Sequence, residues 1–358
     1  MTLQFAYWAP NVSGGLVVSN LPQKTGWNFE DNKRYAQITE NIGFDYVLLQ
    51  TRFLSSYGAE NQLEAATLAS ALAATTERLN IITAVLPGLW QPAVFAKMMA
   101  TIDQISGGRA SVNVVSGWLK DEFTSYGEYW LDHDERYRRS EEFIEVLKLL
   151  WNEPKANYHG NFYRLNDATL EPKPINPITV FLGGLSRAAK EMGGRVSDVF
   201  FMNGNTLDAL KETIEEVKRL RKENGQGPIR FGVNGFAIVR DTEVEAQQVL
   251  RDIVSNANTE AVKGFKKSVQ KAGASSPEGK GMWADASLED LVQYNEGFKT
   301  GLIGTPEQVA NRIIELKKIG VDIVLTGFLH YEEELKAFGE KVIPLVREKE
   351  VSLNIVNA

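Results

Sequence analysis

Short apolar segments alternate with longer amphipathic segments along most of the chain. A run of roughly four to eight apolar residues between turn residues is typical of a buried strand, whereas apolar residues three and four apart indicate a helix. This pattern predicts strands at residues 3–8, 45–50, 79–86, 109–115, 178–182, 199–202, 229–240 and 321–326. It predicts helices between them at residues 27–42, 60–76, 92–106, 133–151, 186–196, 207–224, 244–271 and 305–319.

Eight strand-then-helix units in series imply a parallel sheet, because each helix carries the chain back to the same end of the sheet. Closing the sheet removes its exposed edges, so we predict an α/β fold of the TIM (β/α)8 type. A doubly wound open sheet is the alternative, but no G-x-G-x-x-G follows the first predicted strand. We expect residues 1–358 to form one domain, since barrels of this size commonly do.

Three connections are longer than the repeat requires, at residues 117–130, 154–177 and 273–299. Active sites of TIM barrels lie at the C-terminal ends of the strands, where such insertions can cover them. We therefore expect residues 273–299, which are rich in Gly, Ser, Pro and charge, to form a mobile lid loop. An ordinary surface loop explains the same composition nearly as well.

Composition and charge narrow the possible functions. The 358 residues include no cysteine, which excludes disulfides, thiolate metal sites and a cysteine nucleophile. A net charge of −7 argues against sequence-independent binding to nucleic acid. No apolar run is long enough for a membrane span, and no secretory signal is apparent, so we expect a cytoplasmic protein.

The sequence shows no machinery for hydrolysis or metal catalysis. Its three histidines, at positions 133, 159 and 330, lack the spacing of a metal motif, and G-x-S-x-G is absent. If the protein is an enzyme, a cofactor must supply its reactivity.

Three segments could bind such a cofactor. Gly183-Gly184-Leu185-Ser186 lies between a predicted strand and helix, where free backbone N–H groups and Ser186 could bind a phosphate. Asn113 and Ser116 end the fourth strand and could hydrogen-bond a polar ring. His133 and Tyr137 share one face of a helix start and could reach a ribityl chain or phosphate. Each segment also has a purely structural explanation, as a turn, an N-cap or a packed pair.

Together these segments resemble the FMN-binding signatures of the bacterial-luciferase-like monooxygenases. The resemblance extends to 101–110 (TIDQISGGRA), 133–143 (HDERYRRSEEF), 304–307 (GTPE) and 327–331 (GFLHY), and runs from Phe5 to about Val346. Within this family the chain most closely resembles the two-component dimethyl sulfone monooxygenases. The segments that carry this closer resemblance are 5–15 (FAYWAPNVSGG), 121–140 and 290–305 (DLVQYNEGFKTGLIGT).

The resemblance implies that reduced FMN (FMNH2) binds at the barrel mouth and reacts with O2. The positions that match the family's FMN-binding residues are Asn113, Ser116, His133, Tyr137, Gly184 and Ser186, with Gln50 at the flavin edge. Leu185 replaces a serine common in relatives, so phosphate binding would depend on backbone amides and Ser186. A separate NAD(P)H-dependent flavin reductase would supply FMNH2, and the family implies a homodimer or homotetramer.

The same resemblance implies a small neutral organosulfur substrate. Relatives that cleave sulfonates carry arginine and histidine where this chain has Asn234 and Phe236, tyrosine at Phe328 and tryptophan at Asn203. An anion buried without a cation is costly, so these differences favour dimethyl sulfone, converted to methanesulfinate and formaldehyde. The expected substrate-binding residues are Trp8, Asn11, Asn203, Asn234, Phe236 and Phe328.

Several questions stay open from sequence. His330 could donate a proton in catalysis or be a structural histidine at a strand end. The substrate could instead be an alkanesulfonate or another small organosulfur compound. The same barrel could also carry a deazaflavin-dependent oxidoreductase, or a flavin-binding protein without catalytic activity.

Overall fold

The computed structural model describes residues 2–54, 57–274, 276–278, 283 and 286–356. Eight parallel strands form a closed barrel at its centre. In chain order they are β1 (Gln4–Ala9), β2 (Tyr46–Leu49), β3 (Asn80–Val85), β4 (Ala110–Val114), β5 (Thr179–Gly183), β6 (Val199–Met202), β7 (Arg230–Phe236) and β8 (Ile323–Gly327). Each strand pairs with the next and β8 pairs with β1, which confirms the predicted TIM barrel.

Strand alternation decides which side chains fill the barrel. On β1, Ala6 packs inside with residues of the other strands, whereas Phe5 and Tyr7 belong to the core between the strands and the helices. Inside the barrel the rings of Phe181 and Phe201 stack with centroids 5.3 Å apart. Gly232 leaves space for the Phe201 ring, because a Cβ at position 232 would lie 2.2 Å from that ring. The lower barrel is therefore filled, and a site can form only above this layer.

The α-helices in the described part of the chain surround the barrel. They are α1 (Phe29–Asn41), α2 (Ala65–Ala73), α3 (Pro92–Ser106), α4 (Lys120–Ser125), α5 (His133–Asn152), α6 (Arg187–Val196), α7 (Leu207–Glu223), α8 (Glu243–Ser255), α9 (Thr259–Ala274), α10 (Pro306–Lys318), α11 (Tyr331–Ala337) and α12 (Ile343–Val356). The predicted capping box at α10 is confirmed, since Thr305 accepts from the Gln308 amide and Gln308 accepts from the Thr305 amide. Among the described helices, none is long and apolar enough to cross a membrane.

The structure departs from several of the predicted elements; for example, α4, α11 and α12 are additional to the predicted helices. The helix predicted over 244–271 is divided into α8 and α9, because Ala257 forms a bridge with Ser19 and the Asn258 side chain accepts from the Ala261 amide at 3.2 Å. The connection 154–177 contains a two-stranded antiparallel sheet, Ala156–His159 with Arg164–Ala168.

The predicted lid at 273–299 falls partly outside the described residues. Residues 275, 279–282 and 284–285 are not described, so mobility of this segment stays a prediction. Its later part contains two 3-10 turns, Asp290–Val292 and Gly297–Thr300. The two-residue strand Ile303–Gly304 follows and pairs with Ile238–Val239 just beyond β7.

Candidate functional site

A cavity of about 210 Å³ opens at the C-terminal end of the barrel strands. Six of the residues predicted from sequence line it, from six different strands or the loops that follow them: Trp8, Gln50, Asn113, Gly184, Asn203 and Asn234. Its aromatic wall is formed by Trp118, Phe201, Phe265, Trp283 and Tyr294. A mostly apolar cavity with a few convergent polar groups is the usual form of a small-molecule site.

One side of the cavity is polar but uncharged. The Trp8 indole Nε1 donates to Asn234 Oδ1 at 2.6 Å, and Asn234 Nδ2 donates to the Asn295 carbonyl at 3.0 Å. These bonds fix both side chains. Asn203 differs, because its buried Nδ2 has no hydrogen-bond partner among the described residues. Buried donors are normally paired, so this amide is suited to an acceptor on a bound molecule.

The second polar region lies where α5 and α6 begin. Ser186 caps α6, accepting from the Ala189 amide at 3.3 Å. The Tyr137 hydroxyl lies beside the same turn, because a Cβ at Gly184 would lie 3.3 Å from it. The His133 and Tyr137 rings are in contact, with centroids 4.9 Å apart. Burial raises the pKa of Tyr137, so its hydroxyl keeps its proton and can donate. The structure therefore brings the predicted phosphate-binding residues together.

The turn before α6 requires glycine at position 184. Its φ of +157° is a conformation that L side chains rarely adopt, and a Cβ there would lie 2.5 Å from Ala189 Cβ. Because Gly184 has no side chain, its backbone can pack directly against the first turn of α6. The helix dipole and the free amides at this N-terminus favour binding of an anion.

Charged side chains form a network beside this region. Asp134 contacts His133 Nδ1 at 2.7 Å and Arg187 at 3.3 Å. Arg187 also pairs with Glu278, at 2.8 Å, and with Glu191 at 2.9 Å. Because Glu278 belongs to the predicted lid segment, this pair ties a described part of that segment to the start of α6.

These residues fit an FMN molecule. The Ser186 region offers a phosphate site, and Gln50 and Asn113 present amides to the cavity for a polar ring edge. Thr51 also lines the cavity, and its buried Oγ1 has no partner in the described ranges. Five of the predicted cofactor residues are not among the lining residues of the cavity: Ser116, His133, Tyr137, Leu185 and Ser186. His133, Tyr137 and Ser186 lie in the second polar region, Ser116 is buried just beyond β4, and Leu185 is half-buried.

The structure corrects the expected positions of two phenylalanines. Phe328 is fully buried in the layer outside the barrel, packing on Tyr331 and Phe338, because Leu325 points inward and alternation directs Phe328 outward. Phe236 is fully buried beneath Phe298, with ring centroids 5.3 Å apart. Neither residue lines the cavity, so neither is placed to contact a substrate there.

Asn11 and His330 are also outside the cavity wall. Asn11 is buried, and its Nδ2 donates to the carbonyls of Gln50 and Leu63 at 2.9 Å each, so it joins two loops and fixes the backbone of Gln50. The His330 ring accepts from the Lys24 backbone amide through Nδ1, at 3.2 Å. This contact supports the structural interpretation of His330, and the structure does not bring it to the cavity as a proton donor.

One residue of the cavity lining, Arg52, is not among the site residues expected from the sequence. Its guanidinium lies 4.5 Å from the centre of the Trp118 ring, and its Nε lies 3.7 Å from Glu122 Oε1 on α4. Burial lowers the pKa of Arg52, and the Glu122 carboxylate opposes this shift. Burial likewise raises the pKa of Glu122, with Arg52 opposing. Arg52 lies three residues after the end of β2 at Leu49, but nothing local in the sequence indicates its partner at position 122.

Comparison with known proteins gives a consistent result. The luciferase-like monooxygenase family model matches residues 3–323. The chain is 55% identical to an FMNH2-dependent dimethylsulfone monooxygenase of Pseudomonas putida, over 97% of this chain and 96% of that protein. It is 51% identical to the protein of the same name from Pseudomonas fluorescens, over 97% and 95%. Among solved structures, riboflavin lyase with modified FMN and riboflavin has a similar fold, with a TM-score of 0.85 at 21% identity, covering 98% of this chain and 92% of that one.

Proposed function

The chain belongs to the luciferase-like monooxygenase family, and we propose that it is an FMNH2-dependent monooxygenase that oxidises dimethyl sulfone. The reaction consumes dimethyl sulfone, FMNH2 and O2, and gives methanesulfinate, formaldehyde, FMN and water. The observation that carries this proposal is the 55% identity to a dimethylsulfone monooxygenase over nearly the full length of both chains.

The start of α6 is the proposed site of the FMN phosphate. Ser186 and Tyr137 would donate hydrogen bonds to it, and the helix N-terminus adds favourable electrostatics. Gln50 and Asn113 would orient the polar edge of the ring system within the cavity. When bound, reduced FMN supplies the electrons that activate O2.

The polar wall between β6 and β7 is the proposed substrate site. Sulfonyl oxygens accept hydrogen bonds. Asn203 Nδ2, which has no hydrogen-bond partner in the part of the chain that the structure describes, is a donor in the cavity wall. The Trp8–Asn234 bond keeps the neighbouring surface rigid. The surrounding aromatic residues exclude water, which protects a reactive oxidant from wasteful decay. The wall therefore suits a small, neutral, weakly polar molecule.

Two partners belong to this proposal. A separate NAD(P)H-dependent flavin reductase supplies FMNH2, as the FMNH2 dependence in the relatives' names supports. The protein functions as a homodimer or homotetramer, as family resemblance implies.

The direct test is turnover with a substrate panel. Purified protein, a flavin reductase, NADH, catalytic FMN and O2 are incubated with dimethyl sulfone or with methanesulfonate, and formaldehyde, methanesulfinate and sulfite are quantified. We expect formaldehyde and methanesulfinate in equal amounts from dimethyl sulfone, and little or no sulfite from methanesulfonate. Robust sulfite release from methanesulfonate would contradict the proposed substrate. FMN binding without product from either compound would contradict the proposed reaction and support the non-catalytic alternative.

A further inference from the structure

Arg52 is the one charged side chain among the described residues that line the cavity. The half-buried Arg109, for comparison, has plainly structural partners, because it donates to the backbone carbonyls of Ala73, Thr76, Leu79 and Ser106. Arg52 instead presents its guanidinium in the wall of the proposed active site, against the face of Trp118. An isolated cation here would attract any small anion that entered.

The Glu122 carboxylate opposes the positive charge of Arg52. Its side chain is 3% exposed and lies behind Arg52, outside the cavity lining, with Oε1 3.7 Å from Arg52 Nε. The carboxylate also accepts from the Phe53 amide, so it is anchored to the same loop as the arginine. Buried ion pairs are weak evidence for stability, because apolar residues of similar volume often serve as well. The pair therefore needs another explanation, and its position at the cavity offers one.

We propose that Glu122 is a specificity-determining residue that neutralises Arg52, so that the cavity accepts a neutral sulfone and rejects anions of the same size. The proposal rests on the proposed function. Dimethyl sulfone is neutral, whereas methanesulfonate and the product methanesulfinate are anions. Compensation of Arg52 therefore excludes the competing sulfonate and lets the charged product leave.

The test is the affinity of methanesulfonate for variants, measured by isothermal titration calorimetry of the purified protein with and without saturating FMN. Glu122→Gln keeps the size and an acceptor for the Phe53 amide but removes the negative charge. We expect it to bind methanesulfonate and methanesulfinate at least tenfold more tightly than the unmodified protein. Affinity for neutral dimethyl sulfone should change less than threefold.

A matched control is available at Glu128. This residue pairs with the buried Arg139 at 3.2 Å, and neither lies at the cavity. Glu128→Gln makes the same chemical change and should leave anion affinity unaltered. In the double variant Arg52→Gln with Glu122→Gln, the affinity gained by Glu122→Gln should disappear.

Unchanged anion affinity in a folded Glu122→Gln protein would overturn the proposal, as would equal gains in Glu122→Gln and Glu128→Gln. If the glutamine variant does not fold, Glu122→Ser provides the same neutralisation with a smaller side chain. Independently of any variant, unmodified protein that binds methanesulfonate as tightly as dimethyl sulfone would refute it. These titrations need no turnover, so failure of the proposed reaction in the product assay is a separate result.

Discussion

Replacing Ser186 by Ala separates the structural and ligand-binding roles of one hydroxyl. The structural role is the N-cap of α6, and loss of such a cap costs about 1 kcal/mol, which in a chain of this size lowers the melting temperature by about 2 °C or less. The proposed binding role is a charge-assisted hydrogen bond to the FMN phosphate, worth about 1.5–3 kcal/mol. Its loss should weaken FMN about 10- to 150-fold.

Riboflavin isolates the second role, because it has the same ring system but no phosphate. In anaerobic titrations monitored by tryptophan fluorescence, Ser186→Ala should weaken reduced FMN strongly and reduced riboflavin by less than threefold. The matched control is Thr206→Ala, which removes the N-cap of α7, where Thr206 accepts from the Ala209 amide at 3.4 Å. It should lose similar stability without losing FMN affinity. Equal weakening of FMN and riboflavin by Ser186→Ala would show that the phosphate lies elsewhere.

Four further predictions follow from the same structure. Reduced FMN should bind more tightly than oxidised FMN in anaerobic and aerobic titrations, and equal affinities would contradict two-component function. Asn203→Leu should raise the KM for dimethyl sulfone at least tenfold without changing the Kd of FMN, because it removes a donor that has no partner within the described ranges; an unchanged KM would show that Asn203 does not bind the substrate. Proteolysis within 273–299 should slow when reduced FMN and dimethyl sulfone are added, whereas unchanged cleavage would indicate an ordinary loop. Although burial opposes ionisation, Lys317, the Leu3 amide and Arg347 hold the pKa of Glu350 below its usual value. The free energy of unfolding, from urea titrations, should therefore fall by about 1.5–3 kcal/mol in Glu350→Gln at pH 7, as expected for loss of hydrogen bonds to a charged group. That difference should shrink as the pH falls below about 4.5 and the carboxylate is protonated; a difference independent of pH would contradict the assigned charge interaction.

The barrel could be predicted from sequence because its signals are local. Each strand is a short apolar run, each helix has its own periodicity and caps, and the repetition of the pair implies parallel pairing. The break between α8 and α9 was not predicted because its cause is distant in sequence. Ala257 forms its bridge with Ser19, near the N-terminus.

The site was partly predictable for the same reason. Residues at strand ends, such as Asn113, Asn203 and Asn234, are brought to one end of the barrel by the fold itself. The burial of Phe236 depends on Phe298, which arrives from a 3-10 turn more than sixty residues later. Burial by a distant segment is not visible in the local sequence pattern. Family resemblance therefore predicted Phe236 in the substrate pocket, whereas in the structure it packs against Phe298 and does not line the cavity.

The position of charge explains why changing β7 alone should not produce a sulfonate-cleaving enzyme. Asn234 is bonded to the Trp8 indole and to the Asn295 carbonyl, so an arginine at 234 would have to displace both. Asn234→Arg should therefore impair sulfone turnover before it can serve an anion. Arg52 already lies in the cavity wall, and its charge is compensated by a carboxylate held behind it. Removing that compensation requires no new side chain in the cavity. Dimethyl sulfone and methanesulfonate have nearly the same size but differ by a full charge, so the shape of the pocket cannot separate them. In this proposal the buried Glu122 carboxylate selects the neutral sulfone over the anion.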